Sequence, residues 1–466
     1  GFLTMTSSTF LNNSASKGGV VHAVTADVAI NGGTFEKNWA EAAGGVLSLL
    51  EAKLSIEGGA VFQENWVNTK GGVLISLLGT ISIAGPATFR ENRASLGGVM
   101  YLAELDGTQP VQQSVFEDNK VDSRGGVIYV QDAALRIEDS QFKGNSAKEL
   151  GGSIFSTFNS ISQIEGSSFT NNVASSGSGG AIYCSECHTL MVSNSCTFEG
   201  NKAMQGTGGA VYSSEYTLFE VRDSTFHQND ALSGGGLHVG PGVEYKMQSL
   251  VVNGNHATDK GGGILFSISS TSSSSSSFSV DKANLLSTST KTQEFVSQWE
   301  DFSPLSSSSF VSSVSFVANV ASAGGALYWT DSQPVMNSVS FSNNQAAYGG
   351  DLASAVATLR LVNITSLEAS SGQTMASFSV ELLDQFNQRV STDSISSITI
   401  QGSNTNLTTS GALNAVVQKG VASFSNVIVT AKPGNVIQLE MFLTSQTSIR
   451  ASVPVNMVLS LSLSLS

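Results

Sequence analysis

The sequence predicts an all-β protein in which a parallel β-helix, or solenoid, is followed by a separate β-sandwich. Three observations lead to this fold class. A unit with a usual spacing of 25 to 29 residues recurs twelve times, apolar residues alternate with other residues inside it, and residues 356–458 keep the alternation without the unit. A period of two is typical of strands, and a regular repeat of this length is typical of a solenoid.

Length and composition agree with a stacked β architecture. The chain has 466 residues, which is more than one hydrophobic core usually serves, so it must divide into domains or grow along an axis. Charged residues make up 12% of the chain, against a typical value of about 25%, and 47 residues are glycine. The net charge of -14, with no run of Lys or Arg, argues against nucleic acid or an anionic membrane as the partner.

The repeat is defined by Phe-x-x-Asn followed by Gly-Gly. The apolar second residue after each Gly-Gly indicates a strand that faces inward. Units of this size cannot bury their own apolar face, but identical units stacked ~4.8 Å apart share a continuous core. The motif residues include Phe35/Asn38, Phe62/Asn65, Phe89/Asn92 and Phe116/Asn119, and the turns include Gly125-Gly126 and Gly179-Gly180.

Each unit is expected to form about three short strands and three turns, and each motif residue has an expected role in it. The phenylalanines should stack on one another, and each asparagine should bond its neighbour in the next coil while tolerating a left-handed backbone. Gly-Gly should form a turn that needs positive φ or close backbone approach.

This repeat resembles the polymorphic outer membrane protein repeat, over residues 1–355. The best matches are Gly-Gly-Ala-(Ile/Val/Leu)-Tyr at positions 179–183, 208–212 and 324–328. The resemblance implies a right-handed parallel β-helix and an autotransported surface adhesin in chlamydial members, and similar repeats occur in large surface proteins of protists. An extracellular or cell-surface location (outer membrane if bacterial) is therefore expected, with a surface protein or glycan as partner and any membrane anchor in a segment outside this chain.

The predicted domain organisation has five parts. The coils of residues 1–267 are interrupted by a Ser-rich disordered insertion, 268–309, and resume over 310–355. Residues 356–458 are interpreted as a β-sandwich that resembles immunoglobulin-like modules. Residues 459–466 are interpreted as a frayed tail.

No catalytic motif accompanies the repeat, so the chain is predicted not to be an enzyme and to need no cofactor. Carboxylates are scattered, and no nucleophile elbow, phosphate loop or zinc-protease motif occurs. The alternative is a polysaccharide-active enzyme of the pectin-lyase-like type, because function depends on a site and many β-helices are lyases or hydrolases.

The third residue after Gly-Gly is aromatic in six consecutive coils and forms the candidate binding face. Strand alternation predicts that these side chains point outward, where they could stack on sugar rings or anchor a protein. Two other interpretations stay open: the rings only stiffen the sheet by stacking, or they lie over a neighbouring strand or the Ser-rich loop. The six residues, here called the aromatic ladder, are Tyr101, Tyr129, Phe155, Tyr183, Tyr212 and His238.

Three smaller groups of residues complete the candidates. Glu64, Glu91 and Asp118 precede the motif asparagine in consecutive coils and form either a weak calcium site or a solvated acidic edge. The three cysteines lie in one repeat and form a local disulfide, remain free thiols or, least convincingly, bind metal. The possible glycosylation sites, whose alternative is chance occurrence in an Asn- and Ser-rich chain, are Asn12, Asn363 and Asn406; the cysteines are Cys184, Cys187 and Cys196.

Overall fold

The computed structural model describes residues 1–215, 217–267, 309–403, 407–432 and 436–458. Every regular element among these residues is a β-strand. The chain divides into two compact units, one formed by residues 1–321 and 325–345 and the other by 322–324 and 346–466. The predicted Ser-rich insertion, apart from Ser309, and the predicted tail lie outside the described residues.

The first unit is a parallel β-helix whose strands pair with the equivalent strand one coil further along. A typical coil has four short strands, one more than expected, because a residue with positive φ such as Asp139 (48°) bends the long strand before the motif phenylalanine into two. These two strands belong to the first sheet. In each coil, the strand after the motif asparagine belongs to the second sheet, and the strand after Gly-Gly belongs to the third.

The strands of the three sheets are as follows. The first sheet comprises Phe2–Leu11, Asp27–Glu36, Lys53–Glu57, Val61–Gln63, Thr80–Ile83, Thr88–Arg90, Thr108–Gln112, Val115–Glu117, Ala134–Glu138, Gln141–Lys143, Ile161–Glu165, Ser168–Thr170, Thr189–Ser193, Thr197–Glu199, Leu218–Arg222, Thr225–His227, Glu244–Gln248, Val251–Asn253, Phe310–Ser312, Ser315–Val317, Met336–Asn337 and Ser340–Ser342. The second comprises Ser14–Lys17, Trp39–Ala43, Trp66–Val67, Arg93–Leu96, Lys120–Arg124, Ser146–Ala147, Val173–Ala174, Lys202–Thr207, Asp230–Ser233 and His256–Ala257. The third comprises Val21–Val24, Leu47–Leu50, Leu74–Leu77, Met100–Ala103, Ile128–Gln131, Ile154–Thr157, Ile182–Ser185, Val211–Ser214, Leu237–Val239, Ile264–Phe266 and Leu327–Trp329.

The motif phenylalanines form a continuous stack inside the first unit, as the sequence predicts. From Phe10 to Phe226, neighbouring ring centroids are 4.6–5.1 Å apart and the rings are nearly parallel. Val252 takes the place of a ring in the next coil. Most of these phenylalanines are fully buried, so each contributes apolar area to the core as well as ring contact.

The motif asparagines form a buried hydrogen-bonded ladder that runs beside this stack. The side-chain amide of Asn92 donates both to the side-chain oxygen of Asn119 and to the backbone oxygen of Phe62, each at 3.0 Å. The backbone N–H of Asn92 also donates to that Asn119 oxygen. The same bonds connect every motif asparagine from Asn13 to Asn344.

The left-handed backbone falls one residue earlier than the sequence analysis placed it. Positive φ occurs at the residue before the asparagine, for example at Glu64 (52°), Glu91 (54°) and Asp118 (53°). The asparagine is the first residue after the chain changes direction, and its side-chain amide must lie in the core. The residue before it, which lies at the surface, therefore forms the corner.

The two glycines of each Gly-Gly turn are required for different reasons. The first glycine has positive φ, 66° at Gly125. The second has close neighbours along the stack, since a Cβ on Gly126 would lie 1.9 Å from the backbone oxygen of Gly152 in the next coil. Both parts of the predicted turn, positive φ and close backbone approach, are therefore confirmed.

The apolar column after Gly-Gly faces the core, also as predicted. Its members between the ends of the column are buried, and only Val21 and Leu352 are partly exposed. The buried members are Leu47, Leu74, Met100, Ile128, Ile154, Ile182, Val211, Leu237, Ile264 and Leu327.

The second unit is built on one curled, mixed sheet, and the two packed sheets of an immunoglobulin-like sandwich are not found in its described residues. Neighbouring strands are antiparallel except for the last pair, and the first strand contacts the penultimate one because the sheet curls. The order is Thr358–Leu361, Phe378–Leu383, Val421–Phe424, Asn414–Gln418, Ser397–Gly402, Val436–Leu443, Gln446–Val458 and Leu367–Ser370, and Thr408–Gly411 pairs separately with Val427–Thr430. Strand Leu352–Ser354 also belongs to this unit.

The strands predicted for this unit are present, with their alternate apolar residues buried. Phe378, Val380 and Leu382 are examples, at 6%, 0% and 0% exposure. The buried carboxylate of Glu381 lies between two arginines, Arg360 and Arg389, which together hold its pKa below the usual value against the effect of burial. Alternation therefore identified the strands, but it could not distinguish one curled sheet from two packed sheets.

Candidate functional site

The aromatic ladder is a real structural feature of the third sheet. Tyr101, Tyr129, Phe155, Tyr183 and Tyr212 occupy equivalent positions in consecutive coils. Their ring centroids are 4.7–5.3 Å apart and the rings are stacked. Parallel in-register pairing brings identical positions together, so one aromatic column in the repeat becomes one stack of rings.

Most of the ladder is covered and does not form an open surface. Tyr101, Tyr129, Phe155 and His238 are only 3–8% exposed, whereas Tyr183 and Tyr212 are half-buried. The alternation argument correctly excluded these side chains from the central core. It missed that the chain just before Gly-Gly folds back over them.

The cover consists of the residue before Gly-Gly in the neighbouring coil. The Lys70 ammonium lies 4.4 Å from the ring centroid of Tyr101 and donates to its hydroxyl at 3.1 Å. The Arg124 guanidinium lies 5.3 Å from the ring centroid of Phe155. Leu96 and Leu150, which occupy the same position in other coils, pack against the ladder as apolar cover.

Stacking leaves ring edges, not ring faces, at the outside of the ladder. Inside the stack each ring has a neighbour on both sides, so a sugar cannot lie flat on it. Burial raises the pKa of Tyr183 to about 12, and the phenol is neutral at ordinary pH. The recognition that remains open to the half-buried Tyr183 and Tyr212 is hydrogen bonding through their hydroxyl groups, and a binding role for the ladder stays a prediction.

His238 ends the aromatic run with a different geometry. Its ring meets Tyr212 edge-on, at 88°. Both ring nitrogens are hydrogen-bonded, Nδ1 to Thr207 Oγ1 at 2.6 Å and Nε2 to Ser267 Oγ at 2.9 Å. Burial lowers the pKa of His238 to about 4, so the imidazole is neutral above that pH.

The carboxylates of Glu64, Glu91 and Asp118 are not arranged as a metal site. Within the described part of the chain, no group of three or more His, Cys, Asp or Glu residues is placed to hold a metal ion. Glu64 lies 3.8 Å from the ammonium of Lys37. Asp118 directs its carboxylate towards Gly144 in the following coil, where a Cβ would come within 2.2 Å of it. The calcium hypothesis therefore lacks the convergence of carboxylates that it required.

The cysteines form one disulfide and one free thiol. Cys184 and Cys187 are bonded, and Cys196 is buried and free. Burial raises the pKa of Cys196 to about 11, which keeps it a protonated thiol. Of the possible glycosylation sites, Asn12 and Asn363 are exposed at corners with positive φ (54° and 59°), whereas Asn406 lies outside the described residues.

A tryptophan pair on the second sheet escaped the sequence analysis. Trp39 and Trp66 follow the motif asparagine directly in consecutive coils, and their ring centroids are 5.0 Å apart. Trp66 is 38% exposed and Trp39 is half-buried. The signal was present in the repeat alignment, since the position after the asparagine is variable and carries two consecutive tryptophans.

Comparison with known proteins supports the fold of the first unit. Residues 107–280 match the family model described as a right handed beta helix region. With the parallel register of the strands, this match supports a right-handed parallel β-helix. No curated protein matches the chain significantly.

Two solved structures of an S-layer protein show weak similarity. The structure of SbsC domains 4 and 5 is 17% identical with a TM-score of 0.17, over 23% of this chain and 56% of that one. The structure of SbsC domains 4–9 gives the same identity and TM-score, over 24% of this chain and 15% of that one. This chain thus spans less than two thirds of either structure. Similarity this weak supports no conclusion about fold or function. None of the described residues form a helix suited to crossing a membrane.

Proposed function

We propose that the chain is a non-catalytic cell-surface protein with a structural and adhesive role, built from repeats of the polymorphic outer membrane protein type. The observation that carries this proposal is the ladder of asparagines, unbroken from Asn13 to Asn344 beside the phenylalanine stack. The phenylalanines and asparagines that recur in the repeat hold one coil on the next. The residues that vary lie outside, where they are free to serve recognition.

The outer positions illustrate this division of roles. The position after the motif asparagine is Ser14, Trp39, Trp66, Arg93 and Lys120 in the first five coils. From the second coil onward the next position is small and apolar, and Ala40, Val67, Ala94, Val121 and Ala147 form a buried cluster. A scaffold that keeps its core and changes its surface suits binding to a protein or glycan partner.

An extracellular location is supported by the Cys184–Cys187 disulfide, because disulfides persist mainly in oxidising compartments. Asn12 and Asn363, two of the possible glycosylation sites, are exposed and could carry glycans if the chain is secreted by a eukaryote. Repeat arrays in which each unit stacks on the next commonly provide extended binding surfaces.

The alternative of a polysaccharide-active enzyme requires carboxylates that converge in a groove. Several outer carboxylates of the first unit instead pair with basic side chains. Glu117 accepts from the ammonium of Lys143 at 2.7 Å, and Glu149 lies 3.2 Å from the guanidinium of Arg124. These pairs favour a scaffold over a catalytic surface.

The proposal is tested by two assays on the same purified chain. Beads coated with the chain should adhere to cells more than beads coated with the urea-denatured chain. Incubation with polygalacturonate, cellulose oligomers or chitin oligomers should release no new reducing ends. Cleavage of any of these substrates, or equal adhesion of the native and denatured chains, contradicts the proposal.

A further inference from the structure

The tryptophan pair occupies an outward column of the second sheet. Trp39 and Trp66 are in register, and the two indoles are parallel within 7°. The intervening strand positions Ala40 and Val67 are buried in the core of the solenoid, which directs the tryptophans outward. A partly exposed tryptophan is costly to leave in water, and two in consecutive coils form a continuous aromatic surface.

The backbone beneath the pair is fixed by the asparagine ladder. The N–H of Trp39 donates to the backbone oxygen of Asn13 at 2.9 Å, and that of Trp66 donates to Asn38 at 3.0 Å. Asn38 is itself buried, with its amide bonded to Asn65. The platform is therefore already ordered before a ligand arrives, which lowers the entropic cost of binding.

The outer face of Trp39 has no aromatic neighbour. Trp39 has Trp66 on one side, and on the other side Ser14 holds the equivalent position. Ser14 is small and exposed, so it covers little of the indole. In the described part of the chain the pair has no ring partner beyond itself. On the Ser14 side of Trp39 the column thus leaves a space that another ring could fill. The thickness of this space is set by the ~4.8 Å spacing of coils.

Polar groups border this space. Glu41 lies two residues after Trp39 on the same outward side of the strand, and Ser16 lies in the paired strand one coil earlier, where the register between the two strands shifts. Both are exposed. A carboxylate and hydroxyl groups around an apolar face can bond the equatorial hydroxyls of a sugar, while its C–H groups contact the indole.

We propose that the free face of Trp39, bordered by Ser14, Ser16 and Glu41, binds a pyranose ring of a glycan. This inference rests on the proposed adhesive function and adds to it a site and a ligand class. The sugar takes the place that an aromatic residue would take in the column, at the same stacking distance. The aromatic ladder of the third sheet cannot bind in this way, because its ring faces are occupied by neighbours.

A purely structural role for the pair makes a different prediction. If the indoles only stabilise the sheet, a change at Ser14 leaves any glycan affinity unchanged, because Ser14 is outside the stack. Ser14→Leu covers the free face of Trp39 without removing either tryptophan or adding another flat ring. Ser14→Ala keeps the face open and is the matched control.

The experiment is calorimetric titration of the full chain with cellohexaose and with chitohexaose, whose equatorial substituents leave broad C–H faces. The wild type, Ser14→Ala and Trp66→Phe should bind at least one of them with similar affinity. Trp39→Ala and Ser14→Leu should weaken that binding at least about tenfold, the loss expected when a central aromatic contact is removed. Absence of binding by the wild type, or equal binding by Ser14→Leu, overturns the proposal.

Bead adhesion of the same variants separates this inference from the broader function. Adhesion that is lost together with sugar binding supports the Trp39 site as the adhesive site. Adhesion that Ser14→Leu and Trp39→Ala both retain contradicts the Trp39 site as the adhesive site and leaves the adhesive function standing. A wild-type chain without adhesion contradicts the adhesive function itself.

Discussion

The side-chain amide of Asn92 donates to the side-chain oxygen of Asn119, which lies 27 residues later in the sequence and one coil further along the stack. Both residues are fully buried. Each asparagine oxygen accepts two hydrogen bonds from the preceding asparagine, and each amide uses both of its protons. A buried polar group is tolerated when all its bonds are made, so the ladder fixes the register of neighbouring coils.

Replacement of Asn92 by Ala should therefore destabilise the first unit strongly. The backbone N–H and side-chain amide of Asn65 would lose their acceptor in the core, and the backbone oxygen of Phe62 would lose its donor. We expect a loss of roughly 3–5 kcal/mol in the free energy of unfolding. Urea denaturation measures it, with Asn68→Ala, at an exposed position, as the control that should change stability by less than about 0.5 kcal/mol. Equal stability of the two variants would show that the ladder contributes nothing.

Replacement of Gly126 by Ala should prevent normal stacking between two coils. The new Cβ would lie 1.9 Å from the backbone oxygen of Gly152, and backbone cannot move away as a flexible side chain can. Gly107→Ala is the control, because Gly107 has positive φ (65°), unlike Gly126, and faces open space. Its cost should be only the conformational one of roughly 1–2 kcal/mol. Thermal melting distinguishes the two, and a Gly126→Ala variant as stable as Gly107→Ala would contradict close coil contact as the reason for the second glycine.

Replacement of Tyr129, Tyr183 and Tyr212 by Ser should lower the melting temperature. The change removes ring stacking over 4.7–5.3 Å centroid distances and uncovers apolar surface beneath. Tyr→Phe at the same three positions keeps the stack and removes only the hydroxyl groups. Bead adhesion and melting temperature should be measured on both variants. Adhesion lost in the Phe variant at unchanged melting temperature would show that the phenol edges bind a partner.

The pH dependence of stability should contain a contribution from His238. Burial lowers its pKa in the folded chain to about 4, below the unfolded value of 6.5, so protonation favours unfolding. The stability from this residue is complete above pH 6.5 and is lost as pH falls towards 4, by at most about 3 kcal/mol. His238→Tyr continues the aromatic ladder without a titrating imidazole. Urea denaturation between these pH values should show a steeper decline for the wild type than for the variant, and parallel curves would contradict the effect.

The sequence was sufficient for the architecture of the first unit because its determinants are local and repeated. Phe116 stacks on the equivalent residues of the neighbouring coils, and Asn119 hydrogen-bonds to its equivalent. The repeated spacing of the motif therefore indicates the same contacts in coil after coil. The cover over the aromatic ladder could not be predicted in this way. It depends on the direction of the chain through Gly-Gly, which places Lys70 over Tyr101 in the next coil.

The second unit shows the limit of pattern reasoning more plainly. The alternation predicted strands in residues 356–458, and Ile398 and Ile400 are indeed buried on the strand Ser397–Gly402. Alternation does not indicate which strands pair with each other. The strand Leu367–Ser370, for example, pairs in parallel with Gln446–Val458, which lies far away in sequence. A sandwich and a curled mixed sheet have the same alternation, so only the pairing distinguishes them.

The most direct test of the coil-on-coil arrangement is a disulfide engineered between neighbouring coils. Lys143 and Thr170 are in register on adjacent strands of the first sheet, and Glu199 is in register one coil beyond Thr170. In-register parallel strands place Cα atoms ~4.8 Å apart, within the range that a disulfide spans, whereas two coils separate them by about 10 Å. The pair Lys143→Cys/Thr170→Cys should oxidise to a disulfide in high yield, detected by mass spectrometry of a non-reduced digest, and Lys143→Cys/Glu199→Cys should not. Equal yields from the two pairs, or no bond between positions 143 and 170, would contradict the parallel β-helix.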